Sequence, residues 1–267
     1  NLLLSGFVSG APNNLTKSGT GTLTFSGGIT VSNVTVNGGT LTLSRLPGNV
    51  ADTLLPKGTF TVNSGGTLTF GGYNQLRNAT ATPPVVVNAG GAVDSGATVT
   101  TFKDLKLAGG TMRATGNFGP QWGTFVLFGT LNVTASSSIL NISGGSNNAI
   151  TPGAHQGNQT LTINVSENAT LTNAVPIRNS LMDNGLTPVI YSITKTGLGS
   201  AVFGAENTYG GKTTVSAGTL TLAHAYAVSN STVAMSGGRV VFSSAVAGNA
   251  FTFGGLESVA AGAGYDI

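Results

Sequence analysis

Any chemistry in this 267-residue chain would have to be assembled from eight carboxylates, two histidines and a few aromatic rings. The carboxylates are Asp52, Asp94, Asp104, Asp183, Asp266, Glu167, Glu206 and Glu257, and no two stand closer than nine residues apart. Glycoside cleavage needs two carboxylates flanking one bond, and a calcium-assisted lyase needs clustered Asp beside a basic residue. Stacking of distant segments would be required to bring Asp94 to Asp104, or Asp183 to Glu206; solvated turn residues are the expectation. His155 lies in the loop-like stretch Thr151-Pro-Gly-Ala-His-Gln-Gly-Asn158, and His224 follows a strand pattern ending at Leu222. Neither has a cysteine or acidic neighbour, so both are expected at the surface rather than on a metal. No Gly-x-Ser-x-Gly elbow stands between a strand and a helix, and the calcium nonapeptide Gly-Gly-x-Gly-x-Asp is absent. The lack of cysteine excludes disulfides and thiolate ligands. The expectation is therefore no catalytic residue, no metal and no cofactor.

Weaker candidates remain. Trp122 and Tyr73 are the rings best placed by their Gly-rich surroundings to stack on a sugar, although Trp122 would equally close a loop over an irregular coil. Asn-x-Ser/Thr sequons occur at Asn14, Asn33, Asn78, Asn132, Asn141, Asn158, Asn164, Asn168 and Asn230. In a chain this rich in Asn and Thr chance accounts for most of them; the exposed ones are candidate glycosylation sites if the source glycosylates exported proteins. The net charge of +3 comes from 11 Lys and Arg against 8 Asp and Glu. These are scattered, with only Lys103 and Lys106 close together, which argues against nucleic acid as a partner. No run approaches the roughly 20 apolar residues of a membrane-spanning helix.

The elements that must carry these residues are strands. Charged residues make up only 7%, against about 25% in an average domain, while Gly numbers 41 and mean hydropathy is positive. That is too apolar for a disordered chain. Helical spacing of Leu, Glu or Lys is nearly absent, and alternating runs of four to seven residues stand between Gly, Asn and Ser clusters. One unit recurs. Val34-Thr-Val36-Asn-Gly-Gly-Thr-Leu41-Thr-Leu43 is its clearest copy, and Phe60-Thr-Val62-Asn-Ser-Gly-Gly-Thr-Leu68-Thr-Phe70 repeats it. Fainter copies start at Val85, Leu105, Thr214 and Val233. A fixed strand–corner–strand unit at an irregular period of about 20–25 residues is the pattern of a solenoid. A sandwich would not repeat one corner, and a membrane barrel needs longer strands and aromatic girdles. The expected fold is all-β, a right-handed parallel β-helix of roughly 11–14 coils and about 50–65 Å, forming a single domain over 1–267.

Two segments resemble a known family. Lys195-Thr-Gly-Leu-Gly, then Asn207-Thr-Tyr209-Gly-Gly, Thr213-Thr-Val215 and Gly218-Thr-Leu-Thr-Leu222 follow the passenger-associated repeat of bacterial autotransporters. Residues 15–43 resemble a second copy, beginning Lys17-Ser-Gly-Thr-Gly, with Gly28-Ile29-Thr30 where Asn-Thr-Tyr would stand. The resemblance at 15–43 and 195–222 covers about a quarter of the chain. It implies an exported β-helical stalk, fibre or adhesin segment without enzyme activity, at the cell surface of a Gram-negative-type bacterium. Because neither end reads as a polar cap, the expected partners are flanking segments of a longer chain or other copies associating end to end or laterally, with host or matrix glycans as further partners and no membrane insertion. The rival reading is a carbohydrate-binding or carbohydrate-cleaving β-helix.

Overall fold

Each Val-x-Val and Leu-x-Leu run becomes a short strand with its apolar residues inward. Val34, Val36, Leu41 and Leu43 are buried, while Thr35 and Thr42 between them are half-buried on the outer face. Thr suits that face because its β-branch favours a pleated backbone and its hydroxyl tolerates water. The computed structural model describes residues 1–45, 55–56, 58–76, 82–96, 98–117, 124–153, 158–181 and 188–258.

Two parallel sheets, each of eleven strands, run the length of the molecule. The leading sheet holds the strands before each corner. They are Leu15–Lys17, Val34–Val36, Phe60–Val62, Val85–Asn88, Lys106–Ala108, Thr130–Ala135, Gln159–Val165, Tyr191–Thr196, Thr213–Val215, Val228–Met235 and Phe253–Ser258. The trailing sheet holds Leu2–Leu4 and then the strands after each corner, from Thr22–Phe25 and Gly39–Leu43 through Ser200–Phe203 and Thr219–Leu222 to Arg239–Phe242. Strand order in space follows order in sequence, one strand per sheet per turn. This is a parallel β-helix, with a strand count at the lower end of the expected range. At about 4.8 Å per coil the eleven strands span roughly 50 Å.

Register turns the inward positions into ladders. On the trailing sheet Leu23, Leu41, Leu68, Val93, Met112 and Ile139 stand level in succession. On the leading sheet Lys17, Val36, Val62, Val87, Leu107, Val133 and Val165 do the same. Burying each apolar side chain of these ladders contributes about 1.5–3 kcal/mol, and the ladders merge into one continuous core.

The third side is shorter and less regular, as expected where insertions merely protrude. Thr100–Lys103, Phe125–Phe128 and Ile150–Pro152 form a three-stranded parallel patch, with Phe102 between Phe70 and Phe125 at ring separations of 5.9 and 6.5 Å. Among the described residues one pair of strands breaks the parallel rule: Ser180–Leu181 and Pro188–Val189 pair antiparallel. It is tied to the rod by Ser180 Oγ and the Tyr191 hydroxyl at 2.9 Å, and by Asn179 Oδ1, which accepts from the amides of Tyr191 and Gly210.

Candidate functional site

The described carboxylates occupy separate places on the rod. Asp94 lies on the trailing sheet, where its Oδ2 meets Arg113 Nε at 3.0 Å and its Oδ1 accepts from the Thr115 hydroxyl. Asp104 stands at the turn between the third side and the leading sheet, and its Oδ1 accepts from the amide of Thr130. Asp94 and Asp104 thus serve different faces. Glu257 pairs with Lys212 at 2.7 Å, and Glu167 and Glu206 are exposed. Asp52, Asp183, Asp266, His155 and Trp122 lie outside the described residues. Among the described residues no group of three or more His, Asp or Glu is arranged to hold a metal ion.

His224 follows the strand Thr219–Leu222, as expected; its Nδ1 accepts from the Tyr226 amide and the two rings lie 5.9 Å apart. Tyr73 is half exposed, with its backbone oxygen accepting from Gln75. The sequons divide by what their amides do. Asn33 is held between Asn14 and the Thr59 amide, and Asn164 donates to Asn132. Asn141 bonds Asn148 and Gly145, while Asn158 accepts from Ile190. Asn168 and Asn230 are exposed, and Asn78 is outside the described residues. Between coils, three asparagines at the ends of successive leading strands form a ladder: Asn88 donates to Asn63 at 2.6 Å and Asn63 to Asn37 at 2.7 Å.

The denser polar constructions are buried and involve backbone. Lys17 and Lys195 stand at equivalent corners, pointing inward at positions that hold Val or Leu in most other coils. Lys17 Nζ donates to the carbonyls of Ser18, Gly19 and Gly38 at 2.8–2.9 Å. Lys195 Nζ donates to Thr196, Gly197 and Ala217 at 2.8–3.1 Å. In each trio two carbonyls follow the lysine in its own coil and the third belongs to the next coil. An ammonium has three donors and no acceptor, which matches three converging carbonyls. The same corners bring Gly39 and Gly218 to φ of +62° and +66°, pressed against the carbonyls of Gly21 and Gly199 in the preceding coil.

Further along the second segment, Asn207 is fully enclosed. Its Oδ1 accepts from the Ile177 amide at 2.7 Å and its Nδ2 donates to the Ala227 carbonyl at 2.8 Å, so one side chain joins three coils. Tyr209 hydroxyl, Thr213 Oγ1 and Ser231 Oγ form a buried chain at 2.6 and 2.7 Å, which ends on the Gly211 carbonyl. Lys195, Asn207 and the chain from Tyr209 through Thr213 to Ser231 are thus each engaged in joining coils.

The passenger-associated-transport-repeat family model matches residues 15–43 and 193–222. These are the two segments whose lysines and corner glycines coincide in geometry. Passenger-associated-transport repeats point to an autotransporter passenger segment, hence to a secreted or cell-surface setting. No curated protein and no solved structure matches the chain. No helix among the described residues is long and apolar enough to cross a membrane.

The repeat's buried ionisable groups set an alkaline profile. Burial pulls the Lys195 ammonium from 10.5 down to about 8. Between those values the unfolded chain binds the proton more tightly, so stability rises as pH climbs from about 8 to 10.5. Burial pushes the Tyr209 phenol from 10.0 up to about 12, partly offset by its bonds to Thr213 and Ser231. Above pH 10 the unfolded chain ionises first, and this stability is lost as pH approaches 12. From these two groups alone thermal melting is expected to peak at about pH 10; burial also lowers Arg45 from 12.5 to about 10, which opposes the fall above the peak. In Tyr209→Phe the fall above the peak should flatten; an unchanged fall would show that Tyr209 is not its source.

Proposed function

We propose that this chain is a non-catalytic stalk segment of an autotransporter passenger, standing on the surface of a Gram-negative-type bacterium. The observation that carries the reading is the pair of eleven-stranded parallel sheets in register, which makes the segment a stiff rod. Its sparse charge and its outer face of Thr, Ser and Asn suit a spacer, and the described carboxylates are spread over different faces. The edge strands support association through the ends. Leu2, Leu3 and Phe7 are exposed at one end of the sheets, and Phe242 and Leu256 at the other. Among the described residues Leu2, Leu3, Phe242 and Leu256 stand on the outermost strands, and such an edge is a template for another coil, whether from the same chain or from a second copy.

Electron microscopy and sedimentation test this reading. Rods of roughly 50 Å per chain are expected, adding end to end as concentration rises, with Leu3→Asp suppressing the growth. Globular particles would sink the stalk, and a monodisperse chain at high concentration would sink the end-to-end association. A carbohydrate-binding reading has one observation in its favour, the His224–Tyr226 ring pair with Tyr226 about half exposed. Glycan-array binding that disappears in Tyr226→Ala would favour it over a plain spacer.

A further inference from the structure

We propose that Lys17 and Lys195 are register pins: buried ammonium groups that admit one alignment of neighbouring coils and reject alignments displaced by two residues. The aliphatic ladders cannot make that distinction by themselves. Side chains alternate with a period of two, so a two-residue displacement leaves Leu, Val and Phe inward and Thr outward. The fold already contains such a step. Val133 is level with Val165, whereas Lys195 is level with Ile163 of that same strand. Lys195 stands on the strand immediately after the step, where two alignments compete most directly.

The lysine separates them through its third hydrogen bond. Two of its acceptors, Thr196 and Gly197, travel with the lysine itself, but Ala217 belongs to the next coil. That carbonyl is in reach when Lys195 stands level with Val215. A displaced neighbour would carry it away and leave an ammonium one acceptor short in a closed corner, which is costly. The construction at Lys17 is the same, with Gly38 as the carbonyl from the next coil and Val36 as the level residue. A buried charge is weak evidence for added stability, and its best-attested use is to fix registry. The lowered proton affinity of Lys195 fits a group retained at a cost.

Disulfide trapping tests the proposal, because the chain has no cysteine of its own. Thr194→Cys with Thr214→Cys reports the observed register. Thr194→Cys with Ser216→Cys, or with Lys212→Cys, reports a two-residue displacement in either direction. With Lys195 present only the first pair should cross-link. In a Lys195→Met background the displaced pairs are expected to rise several-fold, with a melting temperature equal to or above that of the parent. The parallel experiment at the other corner uses Lys17→Met, with Thr16→Cys paired to Thr35→Cys, Asn37→Cys or Asn33→Cys. Cross-linking confined to the observed register in both methionine backgrounds overturns the proposal. So does a large fall in melting temperature, or loss of the fold, in both, since the lysines would then be stabilisers.

Discussion

Gly218→Val is expected to lower stability by about 2–5 kcal/mol, which is enough to open the coil it heads. Two separate effects add. The residue holds φ +66°, which an L side chain adopts with strain, most of all a β-branched one. A Cβ built there would also lie 2.3 Å from the Gly199 carbonyl oxygen and 2.5 Å from that of Gly197. Both are backbone atoms locked in the preceding corner, so neither can yield without moving the coil. Gly65 provides the control. Its φ of +76° carries similar strain, but nothing lies within 4 Å of the added carbon. Gly65→Val should therefore show only the conformational part, about 1–2 kcal/mol. Denaturant unfolding followed by limited proteolysis separates the two, with cleavage near residue 218 expected in one variant and not in the other. Equal losses would mean that close approach between corners contributes nothing.

The second large effect is expected at Asn207. Truncation to Ala leaves the Ile177 amide and the Ala227 carbonyl without partners in a dry interior, each costing about 1–3 kcal/mol. The loss should be distributed in a particular way. Because the amide joins three successive coils, hydrogen exchange is expected to quicken at Ile177 and in the Tyr226–Val228 segment together, while the coils around Phe60 remain protected. Asn207→Asp keeps the acceptor for Ile177 but turns an oxygen towards the Ala227 carbonyl, so its loss should centre on the later coil. Uniform acceleration over the whole rod would contradict this local bridging role.

Much of the fold was legible because its code is local. Val34-Thr-Val36 and Leu41-Thr-Leu43 declare which side is inward within five residues of a Gly-Gly corner, and parallel stacking then follows from repetition. The asparagine ladder was also available: Asn37 and Asn88 follow Val-x-Val runs and Asn63 follows Phe60-Thr-Val62, and identical amides at equivalent corners must meet when coils stack. The roles of Lys195 and Asn207 were not legible for a physical reason. Their partners are backbone groups of Ala217, Ile177 and Ala227, 20 to 30 residues away, and a carbonyl leaves no mark on the identity of its residue. Lysine inside an apolar ladder reads as a surface charge until the corner is built around it. The third side resisted reading because its described pairing is confined to short patches, so elsewhere its length and residues need not repeat.

That freedom has an evolutionary consequence, visible at the antiparallel pair Ser180–Leu181 and Pro188–Val189. Ser180–Leu181 and Pro188–Val189 pair with each other, while the strands on either side, Thr170–Asn173 and Tyr191–Thr196, keep their places in the two long sheets. A lineage can therefore vary the chain that joins such a pair without renegotiating the two long sheets. Novel surface features can be acquired one coil at a time, by insertions that selection tests on their own merits, while the scaffold beneath them stays unchanged.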